Sequence, residues 1–227
     1  NTGESDVYFD KNLLDFEDNL LDLDYDNDLQ KIVDGYTAFY AATDEEHDPN
    51  NSIVKNKNLI KTKGIEVGHI FQFGQKYSIP MNAKIHNFQG KSVPVFMGSY
   101  GVGISRLVGA IIESSHDNKG IVWPKEVSPF LFNLINLNLE NQDCIKLCNK
   151  IYDFILKMNL KVLYDDKHES PGSKLARADL LGFPIQIIIG PRGIKEGSID
   201  IKERCSNKIM KLKITDMYKY IENFCSK

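Results

Sequence analysis

Between Val93 and Glu113 the chain reads VPVFMGSYGVGISRLVGAIIE, an apolar, β-prone stretch that passes through three closely spaced glycines and one arginine into a helical pattern. No other stretch narrows so much what the chain can fold into. Gly98, Gly101 and Gly103 let the backbone approach a ligand closely, or take positive φ, without a Cβ clash. Arg106 then falls in the first turn of the helix. Unpaired amides and the helix dipole favour an anion there, and a guanidinium can grip phosphate oxygens bidentately. The pattern predicts a nucleotide site. It is neither a dinucleotide fingerprint nor a P-loop, because G-x-G-x-x-G and G-x-x-x-x-G-K-[ST] are both missing from it. A serine-hydrolase elbow, G-x-S-x-G, does not occur either.

The flanks sharpen the reading. Gly64 to Ser78, GIEVGHIFQFGQKYS, comes just before, and Ile65, Val67, His69, Phe71 and Phe73 alternate on one face of an expected strand. A helix is expected over Ser105 to Ser115, burying Leu107, Ala110 and Ile111. Ile121 to Pro124, IVWP, follows. Pro124 and Pro129 interrupt the chain and place a domain boundary near Glu126. Beyond it, strands over 130–139, 160–164, 184–189, 198–203 and 208–213 alternate with helices over 142–158, 174–181 and 216–224. Such alternation implies a mixed sheet with helices packed on it. Ser170-Pro171-Gly172 and Gly190-Pro191-Arg192-Gly193 read as turns.

Charge divides the chain. Residues 1–50 hold fifteen acidic and two basic side chains, whereas residues 51–227 hold sixteen acidic and twenty-six basic. The basic remainder suits a polyanion, since neutralised phosphates release counterions; a lysine-rich solvated surface is the plain alternative. In LDLDYDNDL the aspartates Asp22, Asp24, Asp26 and Asp28 alternate, but no register supplies both the glycine and the glutamate of an EF-hand loop. A helix is expected over Gln30 to Thr43. Cys144, Cys148, Cys205 and Cys225 form no C-x-x-C pair and have no nearby histidine to complete a zinc set, so no metal site is expected. His47, His86, His116 and His168 show neither metal spacing nor a nucleophile partner. No apolar run approaches membrane-spanning length, and a cytoplasmic address is expected by default.

Taken together, GIEVGHIFQFGQKYS, GSYGVGISR and IVWP resemble the motif 3 region of class II aminoacyl-tRNA synthetases, specifically the bacterial-type prolyl-tRNA synthetases. The resemblance runs from Thr2-Gly3-Glu4-Ser5 through the C-terminal region and is densest from Gly64 to Pro129. It implies an α+β and α/β architecture: part of an antiparallel-sheet catalytic domain, followed by a class IIa anticodon-binding domain with a mixed sheet and flanking helices. The expected division is 1–63, a catalytic remnant with a short acidic insertion; 64–126, the second half of the catalytic domain with motif 3; and 127–227, the anticodon-binding domain. Residues 10–63 are too few for the editing insertion of many relatives, so a miniature insertion without editing is expected. Asn1 in place of Met suggests a C-terminal portion of a longer enzyme, one that would turn over little alone.

The resemblance also implies roles. Arg106 would clamp the γ-phosphate of ATP as the catalytic residue, with Ser105 offering a hydroxyl or an N-cap and with Glu66 and His69 at the nucleotide. Strict alternation puts Glu66 opposite His69 and Phe71, so a bulge is expected at Gly68. Phe71, Ser99, Tyr100 and Gly101 would frame the proline pocket, Ser99 standing where many relatives have cysteine. YDDKHESPGSKLARADLLGFP, Tyr164 to Pro184, resembles the family's anticodon run. Asp166 and Lys167 would read base edges, and Lys174 and Arg177 would hold the backbone. Lys167 replaces the usual arginine and loses its planar fork. The implied substrates and partners are ATP with Mg²⁺, proline and tRNA(Pro), and the implied assembly is a homodimer. Two rivals remain: a sister class IIa ligase for threonine, glycine or histidine, and a non-catalytic RNA-binding relative.

Overall fold

The computed structural model describes residues 2–19, 24, 26–50 and 58–225. Asp22, within the aspartate-alternating stretch, lies outside them. The chain divides into two compact units, Asn1–Ala110 and Ile111–Lys227.

In the first unit, β1 (Ser5–Asp10), α1 (Asn12–Asn19), α2 (Leu29–Thr37), β2 (Ala41–Thr43) and β3 (Leu59–Gly64) come first. They form an antiparallel sheet in the order β2-β1-β3. The helix expected to reach Thr43 stops at Thr37, because Ala41–Thr43 pairs with Val7–Phe9 instead. Strand pairing there overrides the expected helix, a tertiary override of local pattern. Next come β4 (Gly68–Gly74), β5 (Lys84–His86), β6 (Ser92–Pro94), β7 (Met97–Val102) and α3 (Ile104–Ser114). β4 pairs antiparallel with β7, and β5 with β6. The single strand expected over Gly64–Phe73 is thus two, since β3 ends at Gly64 and 65–67 are irregular. Among the described residues of this unit only Ile32 and Ser78 are buried. Leu107, Ala110 and Ile111, expected to be buried, are only partly so, and no residue of α3 is fully buried.

The second unit opens with β8 (His116–Asp117) and β9 (Gly120–Ile121), a small hairpin. It continues through β10 (Phe132–Asn136), α4 (Gln142–Lys157), β11 (Val162–Asp165), α5 (Pro171–Leu181), β12 (Ile185–Ile189), α6 (Pro191–Lys195), β13 (Ser198–Glu203), β14 (Ile209–Lys213) and α7 (Met217–Cys225). The five-stranded sheet runs β11-β10-β12-β13-β14, with β10, β11 and β12 parallel and the last two antiparallel. Every residue of β10 (FNLIN) and β12 (IQIII) is buried. That explains their near-continuous apolar runs, since central parallel strands have no solvent face. Cys144, Cys148, Ile151 and Ile155 form the inner stripe of α4 against this sheet, beneath an Asn141 cap whose side chain accepts from Asp143 and Cys144 amides at 3.0 Å each. Burial pushes the Cys148 thiol up to about 12.

Two segments read as turns begin helices. Ser170 caps α5, its hydroxyl accepting from the Ser173 amide at 3.2 Å with Pro171 at the first helical position, and Pro191 starts α6 likewise. α5 ends at Gly182, φ 73, where a Cβ would stand 1.9 Å from the Ile121 carbonyl oxygen.

Residues 116–124 are tied into the second unit, so the boundary placed near Glu126 from prolines lies within it. Trp123 donates its amide to Gly182 O at 3.1 Å and its indole N–H to Leu181 O at 3.0 Å. Arg204, 0% exposed, donates to both Asp117 carboxylate oxygens at 2.7 and 2.6 Å. It also donates to Gly120 O at 3.2 Å and Asp179 O at 3.0 Å.

Candidate functional site

The β4–β7 ribbon and the first turn of α3 form the first candidate site. Register sets its faces, because directly opposed residues of an antiparallel pair project to the same side. Phe71 opposes Ser99, and His69 opposes Gly101. The His69 and Phe71 rings stack 4.0 Å apart at 9°. Two rings therefore stand over two of the smallest residues in the strand. A Cβ added at Gly101 would meet nothing within 4 Å, so the floor beside His69 is open. None of Gly98, Gly101 and Gly103 takes positive φ. At Gly98 and Gly103 the chain itself comes close: a Cβ would stand 3.2 Å from Phe71 O and 3.3 Å from Arg106 Cβ.

Tyr100 departs from the expected pocket. It opposes Ile70, so it projects from the face opposite to Phe71 and Ser99 and is 82% exposed. Alternation within β7 makes this unavoidable once Ser99 points at Phe71.

Arg106 stays at the surface, its side chain 50% exposed. Nη1 donates to the Glu66 carbonyl at 2.9 Å and stands 3.4 Å from the Glu4 carboxylate. Glu4 also accepts the Glu66 amide at 3.4 Å. Its own backbone N–H chiefly holds this carboxyl below the usual range, with the Glu66 amide and Arg106 adding to the effect. Glu4 bridges sixty-two residues of sequence, and no spacing rule could have found it.

Glu66 does reach the His69 side, with its carboxylate 3.6 Å from His69 Nδ1. The expected bulge at Gly68 is not the cause: Glu66 precedes β4 in the irregular 65–67 segment, and the register shift lies between Gln72 and Gly74. Ser105 lies inside the first turn of α3 and is exposed; Gly103, whose carbonyl accepts the Leu107 amide at 2.9 Å, occupies the cap position. The hydroxyl reading of Ser105 therefore survives and the cap reading does not. Ile70, Phe71, Gln72 and Gly74 of β4, with Phe96 to Tyr100, border a depression of about 550 Å³ along the ribbon.

The second candidate site sits beyond the carboxyl ends of β10 and β11. Asp166 and Lys167 are exposed there, beside a depression of about 290 Å³ lined by Leu137–Glu140 and Lys167–Ser170. Lys174, expected to touch RNA backbone, is 1% exposed. Its ammonium donates to Asn136 O at 2.7 Å and Asp165 O at 3.3 Å and lies 3.7 Å from the Asp165 carboxylate. A cation so enclosed is committed to these acceptors; the family resemblance that singled out Lys174 matches residue types and does not report which face of α5 it occupies. Arg177 is partly exposed but bonded to Asp165 at 2.7 Å and Glu169 at 2.5 Å. Replacing Lys174 with methionine should cost about 3 kcal/mol of stability, because two carbonyls lose their donor and a buried carboxylate loses one of its cations. Lys167→Ala should leave stability within about 0.5 kcal/mol. Urea unfolding of the two variants checks both values.

Among the described residues no group of three or more His, Cys, Asp or Glu could hold a metal, and no helix is long and apolar enough to cross a membrane.

Residues 133–224 match the family model described as anticodon binding domain. A proline–tRNA ligase of Hyphomonas neptunium is 48% identical over 218 residues, covering 95% of this chain and 49% of that protein. One from Rickettsia akari is 45% identical over 221 residues, covering 97% and 50%. The chain thus spans about half the length of the curated relatives it matches. Among solved structures, prolyl-tRNA synthetase from Cryptosporidium parvum complexed with L-proline and AMP aligns with a TM-score of 0.61 at 22% identity, over 73% of this chain and 34% of that one. That likeness is one of fold.

Proposed function

We propose, from the premise that this chain belongs to the prolyl-tRNA synthetase family, that the protein carrying it is a proline–tRNA ligase. It would activate proline with MgATP to prolyl-adenylate, release pyrophosphate, and transfer the prolyl group to the terminal ribose of tRNA(Pro). The observation that carries this reading is the half-exposed Arg106 guanidinium, held by Glu66 O and Glu4 beside the stacked His69 and Phe71 rings.

In activation the proline carboxylate attacks the α-phosphate, and negative charge builds on the departing pyrophosphate. Arg106 would stabilise that charge at the γ-phosphate, while Ser105, Glu66 and His69 would position the nucleotide. Phe71 would cover the pyrrolidine ring over the small floor of Ser99 and Gly101. Tyr100 projects from the other face of β7 and would reach this pocket only along the depression whose border it shares with Phe71 and Ser99. Asp166 and Lys167 would read anticodon bases, with Arg177 available only if it leaves its two carboxylates; Lys174 would support the loop from beneath. The reading brings with it a homodimer, a cytoplasmic address, and residues 10–63 as a short insertion without editing.

Amino-acid-dependent exchange of pyrophosphate into ATP tests it, using the protein that carries this chain. Proline alone should support exchange. Exchange driven by threonine, glycine or histidine would favour a sister ligase, and tRNA binding with no exchange would favour an RNA-binding relative.

A further inference from the structure

From Val67 to Ile112 the chain holds no aspartate or glutamate, although the whole carries 31 acidic residues; the same run contains Lys76, Lys84, Lys91 and Arg106. Between the two strands of the first site it makes an excursion, the hairpin β5–β6, with Phe88 in the connecting turn at a relative exposure of 112%.

This turn is built. Asn87 Oδ1 accepts the Gln89 and Lys91 amides at 3.0 Å each, the Asn87 amide donates to Lys91 O at 2.9 Å, and the Gly90 amide donates to Asn87 O at 2.9 Å. Gly90 supplies the left-handed residue, φ 75. At the base, Gln75 Nε2 donates to Pro94 O at 3.2 Å and the Val95 amide to Ala83 O at 3.1 Å. Six hydrogen bonds and the glycine hold an aromatic ring out in water on a hairpin whose two lysines no carboxylate of their own segment neutralises.

A rigid exposed ring flanked by cations matches the chemistry of unpaired nucleotides: bases stack on the ring and phosphates meet the ammonium groups. We propose that the β5–β6 hairpin, with Phe88 at its apex and Lys84 and Lys91 beside it, is a landing surface for unpaired RNA nucleotides. The proposal rests on the ligase reading only in assigning that RNA to the substrate tRNA, whose unpaired end must reach the first site for transfer. A protein partner would need acidic complementarity to the same lysines and is an outcome of the test.

Fluorescence anisotropy with a labelled, unstructured RNA oligonucleotide, on the protein that carries this chain, gives the reading. Phe88→Ala should weaken binding roughly five- to hundredfold, and Phe88→Trp should preserve it. The double variant Lys84→Gln, Lys91→Gln should flatten the slope of log affinity against log salt by about 1.4. In aminoacylation Phe88→Ala should raise KM for tRNA. Amino-acid-dependent pyrophosphate exchange needs no RNA and should be unchanged in all these variants. Absent exchange in the wild type, with oligonucleotide binding still sensitive to Phe88, would remove the ligase reading and keep the hairpin. Unchanged affinity in Phe88→Ala, or a wild type that does not bind the oligonucleotide, overturns the proposal. So does a change in self-association by sedimentation velocity in place of RNA binding.

Discussion

Arg106→Ala should lower proline-dependent pyrophosphate exchange by two to three orders of magnitude, about 3 to 4 kcal/mol of activation free energy, in the protein that carries this chain. The expectation follows from what the guanidinium does and does not touch. One of its nitrogens is engaged by Glu66 O and by Glu4, and half of the side chain faces solvent. The contacts fix its direction without enclosing it, which suits a group whose partner carries charge that grows during reaction. Arg106→Lys should recover little, because an ammonium lacks the planar fork. The loss should fall on kcat more than on KM for proline. A near-native exchange rate in Arg106→Ala would remove this residue from the chemistry.

Arg204→Met should destabilise the second unit by about 3 to 5 kcal/mol, a large share of the stability of an ordinary domain. Arg204 is fully buried and donates four hydrogen bonds, to Asp117, Gly120 O and Asp179 O, so its removal strands two carbonyls and one carboxylate. Urea unfolding measures the effect, and a loss under about 1 kcal/mol would contradict it. A pH dependence follows from the same contact. The Arg204 hydrogen bonds are the main cause holding the Asp117 carboxyl well below the usual range. A carboxyl depressed on folding stabilises fully above its unfolded pKa of about 4, and the contribution is lost as pH falls from there toward the folded value. The stability gap between wild type and Asp117→Asn should therefore be constant from pH 7 to about 5 and shrink below about 4.

The second unit was largely legible in sequence because its burial is two-sided. IQIII and FNLIN announce central strands, and the i, i+4, i+7, i+11 stripe of α4 announces its inner face. What sequence missed there was capping, since Ser170-Pro171-Gly172 and Gly190-Pro191 read equally as turns and as helix starts. The first unit was less legible. Its strands have no fully buried face, so alternation carried no inside or outside: Gly64–Phe73 read as one strand, and Tyr100 was grouped with Phe71 despite the parity of β7. The glycine-to-helix pattern singled out Arg106, and the family resemblance singled out His69, Phe71 and Ser99. Glu4 reached the same site through tertiary contact alone, and Lys174 needed the coordinates to show that it faces inward.

A crystal structure with a non-hydrolysable prolyl-adenylate analogue tests the account most directly. The account predicts the pyrrolidine ring against Phe71 over Ser99 and Gly101, with the nucleotide running toward Arg106 and His69. An analogue seated on the Ile70 and Tyr100 face, or bound away from Arg106, would contradict it.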